Sequence, residues 1–354
     1  MKALVLEEYN KLVYKDVEKP VPDLNEVLVE VRAVGICGSD VHGMDGSTGR
    51  RIPPIIMGHE ASGIIVETGK NVTGWNTGDR VTFDSTLYRL DDWYTRSGHY
   101  NLSDNRMVLG VSCKEFRRDG AFAQYVAIPA HILYNIPENV SFEQAAMVEP
   151  VAVALHAIHL SGVRINDHVA VFGSGMIGLF LIQLLKLAGC KVIAIDILDE
   201  KLAMAKAAGA EIVLNAQKKD IAGEIKKQTK GRGADLAFEA VGIAATVRSA
   251  IDSLRKGASL ILLGNLTQVV DFPLQKAVTQ EIMVKGSCAI NGEYPAVLDL
   301  ISQNKIRVDN MISAVAPLSD GAFYFDKLYN KRKASRCNIP ATLLFSLFKI
   351  KAGH

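Results

Sequence analysis

Residues Val169-Ala170-Val171-Phe172 run directly into Gly173-Ser174-Gly175-Met176-Ile177-Gly178, and an apolar stretch follows as far as Ala188. A buried strand, a glycine turn and a helix in that order leave few folds open. Residues 191–195 supply a second strand, which closes a βαβ unit. The alternation continues with a helix at 202–208 and strands at 212–214, 235–239 and 259–263. Strand and helix taking turns in this way predict a parallel, doubly wound sheet with helices on both faces.

The G-x-G-x-x-G pattern carries chemistry as well as topology. Its first glycine permits the tight turn, its second lets the backbone approach a pyrophosphate, and its third lets the helix pack on the strand. The free N–H groups at the helix start face the anion. This predicts a Rossmann dinucleotide site built from Gly173, Gly175, Met176, Ile177 and Gly178. Asp196 closes the second strand, where a carboxylate accepts hydrogen bonds from ribose hydroxyls and repels a 2′-phosphate. No arginine follows it directly, so NAD is favoured over NADP. The plain alternative for Asp196 is a helix cap. Gly242 and Gly264 fall at strand ends where the nicotinamide half could lie, and each could equally be an ordinary turn glycine.

At 354 residues the chain exceeds what one hydrophobic core organises, so two domains and a cleft are expected. Up to about Pro129 short alternating runs (27–31, 62–66, 80–83, 122–128) read as β-rich and partly barrel-like. The texture turns helical after Pro150. The expected division is 1–150 for a β-rich domain, 151–284 for the dinucleotide domain, and 285–354 for a return to the first. A formal charge of +2, with 49% hydrophobic and 22% charged residues, gives no general bias toward nucleic acid or anionic lipid. Cys37, Cys113, Cys190, Cys288 and Cys337 form no C-x-x-C pair, which fits reduced thiols and a cytoplasmic location. The acidic N-terminus interrupts any secretory signal, and no stretch approaches a membrane span.

In the first domain, Gly58-His59-Glu60 is preceded by Cys37 in Gly35-Ile36-Cys37-Gly38-Ser39-Asp40-Val41-His42. A thiolate, an imidazole and an adjoining carboxylate are zinc ligand types, and three protein ligands leave a fourth position open for chemistry. Glu149, beside Pro150 at the domain junction, is a further candidate. Taken singly, Cys37 is a small buried apolar residue, His59 a hydrogen-bonded core imidazole and Glu60 a surface charge. Together with a nicotinamide site they name a reaction: the cation acidifies an alcohol whose carbon gives up a hydride.

The chain resembles the zinc-dependent medium-chain dehydrogenase family, in its polyol (sorbitol-like) branch. The resemblance rests on the two runs above, the glycine pattern from Gly58 to Val72, Gly78-Asp79-Arg80-Val81, Gly120-Ala121-Phe122-Ala123-Gln124-Tyr125, Val148-Glu149-Pro150 and the nucleotide motif, and covers nearly the whole chain. It implies a GroES-like β-rich catalytic domain plus the Rossmann domain, enclosing the active site between them. It implies Cys37, His59 and Glu60 as zinc ligands, with Glu149 either a direct ligand or one acting through water. It also implies Ser39 and His42 as a proton relay, a small alcohol or sugar as substrate, and a homodimer or homotetramer.

Two departures from the family pattern stand out. Many members hold a second, structural zinc with four cysteines, and those spacings fall here on Arg89, Asp92, Thr95 and Ser103. One zinc per chain is therefore expected, with the lobe held by Arg89 pairing with Asp92 and by packing of Trp93 and Tyr94. Lys285-Gly286 also leads into Ser287-Cys288-Ala289-Ile290-Asn291 without the arginine that polyol members often place there. A polyol, a sugar derivative or an amino alcohol such as threonine all remain open as substrates. The residues 341–350 depart from the usual short closing strand, and packing on the catalytic lobe is the simplest expectation for them. A zinc-independent reductase, or a non-catalytic NAD-binding sensor or structural protein, are the rival functions. The intact Cys37, His59 and Glu60 set speaks against the first, and Ser39 and His42 beside that full ligand set speak against the second.

Overall fold

Strand Glu26–Gly35 buries Val27, Val29, Val31, Ala33 and Val34 completely, and sheet partners flank it on both edges. In the computed structural model, which describes residues 1–335 and 346–350, this strand pairs antiparallel with Glu60–Thr68 and with Tyr125–Pro129. Glu60–Thr68 continues the sheet through Arg80–Phe83 to Leu133–Asn135. On the other side, Ser346–Lys349 pairs with the Gly35 end of the central strand and runs parallel to Ala314–Pro317, which makes a 7-stranded sheet. A separate 3-stranded sheet joins Lys2–Glu8 to Lys11–Asp16 and Ile55–Ile56. The core between them is apolar, with Phe122 packed edge-on against Phe325 and Phe348.

The expected packing of the C-terminal run is thus partly visible: Leu347 and Phe348 are fully buried in this core. Residues 341–345 and Cys337 lie outside the described residues.

The chain divides into Met1–Glu149 with Ile290–His354, and Pro150–Ala289. The division falls inside helix Val148–Ser161, whose first turn accommodates Pro150 because the N–H it lacks would have no partner there. The second unit is one 6-stranded parallel sheet in the order Ile212–Asn215, Lys191–Asp196, His168–Phe172, Ala234–Glu239, Leu254–Leu262, Met283–Gly286. Because Met283–Gly286 is itself the outermost strand, the chain returns to the first unit at Ile290 rather than at 285. Among the described residues no helix is long and apolar enough to cross a membrane.

Candidate functional site

The register of one strand pair assembles the centre of the first unit. Gly35 lies opposite Glu60, so Cys37, just past the end of one strand, and His59, just before the start of the other, leave the sheet at the same place. A sulfur, an imidazole nitrogen and a carboxylate oxygen from Cys37, His59 and Glu60 all lie within 4.8 Å of one another. Gly58 makes the sharp entry to His59. Its φ is +97°, and a side chain there would stand 2.9 Å from the backbone nitrogen of Phe122.

The neighbouring strand delivers the next carboxylate. Ser62 pairs with Thr82, so Ser85, past the end of strand Arg80–Phe83, lies on the same side as Glu60. Its hydroxyl donates to Glu149 Oε1 at 3.1 Å, and both residues are buried. Glu149 stands in the first turn of helix Val148–Ser161. It is not one of the three groups within 4.8 Å, yet its charge is felt by both Cys37 and Glu60.

Helix Gly38–Gly43 contributes Asp40, a fully buried carboxylate. Its Oδ1 accepts from Arg51 Nε at 3.1 Å and from an Arg51 terminal nitrogen at 2.8 Å, and lies 3.7 Å from His59 Nδ1. Gly43 leaves room for the Arg51 side chain, since a Cβ there would stand 2.4 Å from Arg51 Cγ. Neither Asp40 nor Arg51 was anticipated from the sequence as part of the centre. Asp40 had a signal, sitting inside the cysteine motif, while Arg51 and Ser85 had none.

Without a metal this pocket holds more acid than it can ionise. Burial pushes the Cys37 thiol well up, and the charges of Glu60, Asp40 and Glu149 push it further. Burial likewise raises Glu60, with Glu149 and Asp40 adding to it. Glu149 is raised by burial to about 8 despite its bond from Ser85. Burial lowers His59, against the pull of Asp40, which keeps its imidazole neutral and able to ligate. One side-chain oxygen of Glu60 and Nδ1 of His59 have no hydrogen-bond partner. A soft thiolate, a neutral imidazole and the carboxylates of Glu60 and Glu149, beside an Asp40 already paired with Arg51, are a donor set suited to zinc.

Ser39 is exposed in the same short helix. Its hydroxyl accepts from Arg51 at 3.3 Å and hydrogen-bonds to the Cys37 sulfur, which favours the thiolate. His42 follows on that helix, half-buried, with its backbone carbonyl accepting from the Ser47 hydroxyl.

In the second unit, Gly173 and Gly175 form the turn between strand His168–Phe172 and helix Met176–Leu187, and Gly178 lies in the first turn of that helix. A Cβ on Gly178 would stand 1.8 Å from the carbonyl oxygen of Gly173, so the helix can meet the turn only through glycine. Gly175 opens onto free space and caps the helix without a side chain, leaving the N–H groups of the first turn, Met176 and Ile177 among them, outside the helix hydrogen-bond ladder. Asp196 Oδ2 accepts from Ser174 N at 2.8 Å, and Oδ1 accepts from Ile197 N and Leu198 N. Each oxygen retains acceptor capacity. Gly242 and Gly264 pack backbone to backbone, a Cβ on Gly264 meeting Gly242 N at 2.1 Å, which by itself explains why both are glycine.

Comparison with known proteins follows the same two units. Residues 23–138 match the alcohol dehydrogenase GroES-like domain and residues 177–303 the zinc-binding dehydrogenase domain. The chain belongs to the zinc-type medium-chain dehydrogenase family. It is 32% identical over 326 residues to D-arabitol-phosphate dehydrogenase of Enterococcus avium, covering 90% of this chain and 91% of that protein. It is likewise 32% identical over 338 residues to D-xylulose reductase A of Aspergillus oryzae, covering 92% and 93%. A zinc-binding dehydrogenase from Sinorhizobium meliloti, solved with NADP, superposes with a TM-score of 0.88 at 29% identity over 98% of each chain. These relatives place the chain in the polyol branch, and its class of chemistry is alcohol or polyol oxidoreduction.

Against that family background the lobe after Phe83 differs from expectation. Arg89 pairs not with Asp92 but with Asp91, in an exposed bridge at 2.9 Å. Asp92 is occupied otherwise: it caps helix Trp93–Arg96 through Thr95 N at 2.8 Å, and its other oxygen accepts from the Thr95 and Ser103 hydroxyls. Three of the positions where members carry zinc-binding cysteines thus form one hydrogen-bonded cluster. Trp93 is 72% exposed and meets Tyr94 edge-on, while the packing that ties the lobe down is Tyr100 stacked on Tyr88 at 4.2 Å. A capping carboxylate satisfies otherwise unpaired N–H groups, which is worth more than a solvent-screened surface pair.

Proposed function

We propose that this chain is a zinc-dependent, NAD-linked dehydrogenase that moves a hydride between a secondary alcohol, polyol or sugar derivative and the nicotinamide. The observation that carries this is the convergence of Cys37, His59 and Glu60 within 4.8 Å, with His59 and Glu60 buried. Cys37, His59 and Glu60 would hold one zinc, with Glu149 acting beside it through water. Nδ1 of His59 faces Asp40, which leaves Nε2 for the metal. A zinc held there would supply the Lewis acid that lowers the pKa of the substrate hydroxyl. Ser39 receives the released proton and passes it outward to His42, which lies three residues further along the same helix.

Gly173, Gly175, Met176, Ile177 and Gly178 would receive the pyrophosphate, and Asp196 the adenosine ribose, whose 2′-phosphate it would repel. Gly242 and Gly264 would border the nicotinamide half. Self-association to a dimer or tetramer is supported by the exposed outer strand Met283–Gly286, paired on one side only. The relatives act on D-arabitol phosphate and D-xylulose by name, so a polyol or its phosphate ester is the substrate class to try first. A screen of NAD and NADP reduction over polyols, polyol phosphates, sugars and threonine, with and without a chelator, tests the proposal. Polyol-dependent NAD reduction that the chelator abolishes is expected. Turnover indifferent to the chelator, or NADP used in preference, would overturn the corresponding part.

A further inference from the structure

We propose that Tyr100 is a positioning residue for Glu149, acting through Asp84 and Ser85. The proposal rests on Glu149 being a group of the metal centre. Asp84 is 1% exposed and uses both carboxylate oxygens. Oδ1 accepts from Thr86 N at 2.8 Å, closing a turn around Ser85, and Oδ2 accepts from the Tyr100 hydroxyl at 2.6 Å. Within that turn the Ser85 carbonyl accepts from Leu109 N at 3.0 Å, so the Ser85 backbone is pinned and its hydroxyl is aimed at Glu149 Oε1. Tyr294 braces the preceding residue, its hydroxyl donating to the Phe83 carbonyl at 2.7 Å.

The phenol of Tyr100 is itself held from several directions. It accepts from Gly292 N at 2.8 Å, and its ring stacks on Tyr88. Tyr100 belongs to the lobe in which Asp92, Thr95 and Ser103 stand at cysteine positions, so this lobe has no four-thiolate staple to fix it. Its placement and that of the Glu149 carboxylate are joined instead through one buried aspartate. Removing the Tyr100 hydroxyl leaves Asp84 Oδ2 and Gly292 N–H without partners, and a buried unpaired acceptor drives local rearrangement. The turn then loosens its grip on Ser85, and Ser85 on Glu149.

Outer residues that orient metal-site groups change affinity by about 10- to 100-fold, and a residue one step further removed should change it by about 3- to 10-fold. The test is a double-mutant cycle on zinc affinity in the full-length chain, stripped of metal and titrated with Zn2+ against a chromogenic chelator. Tyr100→Phe should weaken zinc binding by about 3- to 10-fold in the otherwise unaltered chain and by less than about 2-fold once Ser85→Ala is present. Asn291→Ala, which removes a different tie to the lobe at Gly98 O, should leave zinc affinity unchanged. Should Tyr100→Phe fail to fold, Asp84→Asn enters the same cycle with Ser85→Ala. An equal loss in both backgrounds, or none, while Glu149→Gln weakens zinc binding, overturns the positioning role. If Glu149→Gln itself leaves zinc binding unchanged, the assignment of Glu149 to the centre fails, and the inference with it.

Discussion

Replacing Arg51 with methionine should be far more damaging than its surface-like sequence context suggests. Arg51 is 3% exposed and Asp40 0%, and the two guanidinium bonds at 2.8 and 3.1 Å both fall on Asp40 Oδ1, while Oδ2 has no partner. Methionine keeps most of the volume but strands a carboxylate in a dry pocket. Breaking a buried pair from one side in this way is worth about 3–5 kcal/mol. Part of the damage reaches the metal, because Asp40 then no longer sits fixed at 3.7 Å from His59 Nδ1, and about a 10-fold loss of zinc affinity should follow. Urea unfolding of the metal-free chain, followed by a probe in the first unit, measures the first effect, and zinc titration measures the second. Asp40→Asn added to Arg51→Met removes the stranded charge and should restore at least half of the lost stability without restoring zinc affinity. A loss below about 1 kcal/mol for Arg51→Met, with zinc affinity intact, would refute the account of Arg51 as the counter-charge of this pocket.

Three other outcomes are expected. Gly178→Ala would force a methyl to within 1.8 Å of the Gly173 carbonyl and should abolish NADH binding measured by fluorescence, while leaving zinc content unchanged. Phe348→Ala removes a fully buried ring packed against Phe122 and Tyr324 and should lower stability by about 3–5 kcal/mol, seen in denaturant unfolding. Burial raises Asp84 from 3.8 to about 6, against the bonds from Tyr100 and Thr86 and with the charge of Glu293 adding to the rise. The folded state therefore holds the proton longer than the unfolded chain, and the stability this confers is full below about pH 4 and lost as pH climbs to about 6. Relative to Asp84→Asn, the parent chain should lose about 3 kcal/mol across that interval; parallel pH profiles would contradict it.

Local necessity decided what could be read from the sequence. Gly178 was legible because a strand, a turn and a helix in contact leave no room for a side chain, whatever the rest of the chain does. Cys37, His59 and Glu60 were legible as ligand types, whereas the register that joins them is set by a strand pairing with two irregularities, which alternation alone does not give. Arg51 was not, because beside Arg50 it reads as one of two loop arginines and only tertiary packing buries it. Ser85 belongs to no motif, and its importance lies in a bond to a residue far away in the sequence. The pairing of Arg89 with Asp92 failed for a local reason: a helix start two residues beyond Asp91 claims Asp92 as its cap and leaves Asp91 to the arginine. Helices Ile221–Gln228 and Ala244–Ser253 lie between strands of the parallel sheet, each burying a few apolar residues, Ile221 and Ile225 in the first and Val247, Ala250 and Ile251 in the second.

Cys37, His59 and Glu60 are proposed to hold a zinc on which turnover depends. Elemental analysis of the purified full-length chain beside its Cys37→Ser and His59→Ala variants, each assayed for polyol-dependent NAD reduction, addresses it most directly. One zinc per parent chain is expected, and in both variants the loss of zinc and of turnover together. A His59→Ala protein that is free of metal yet fully active would contradict it.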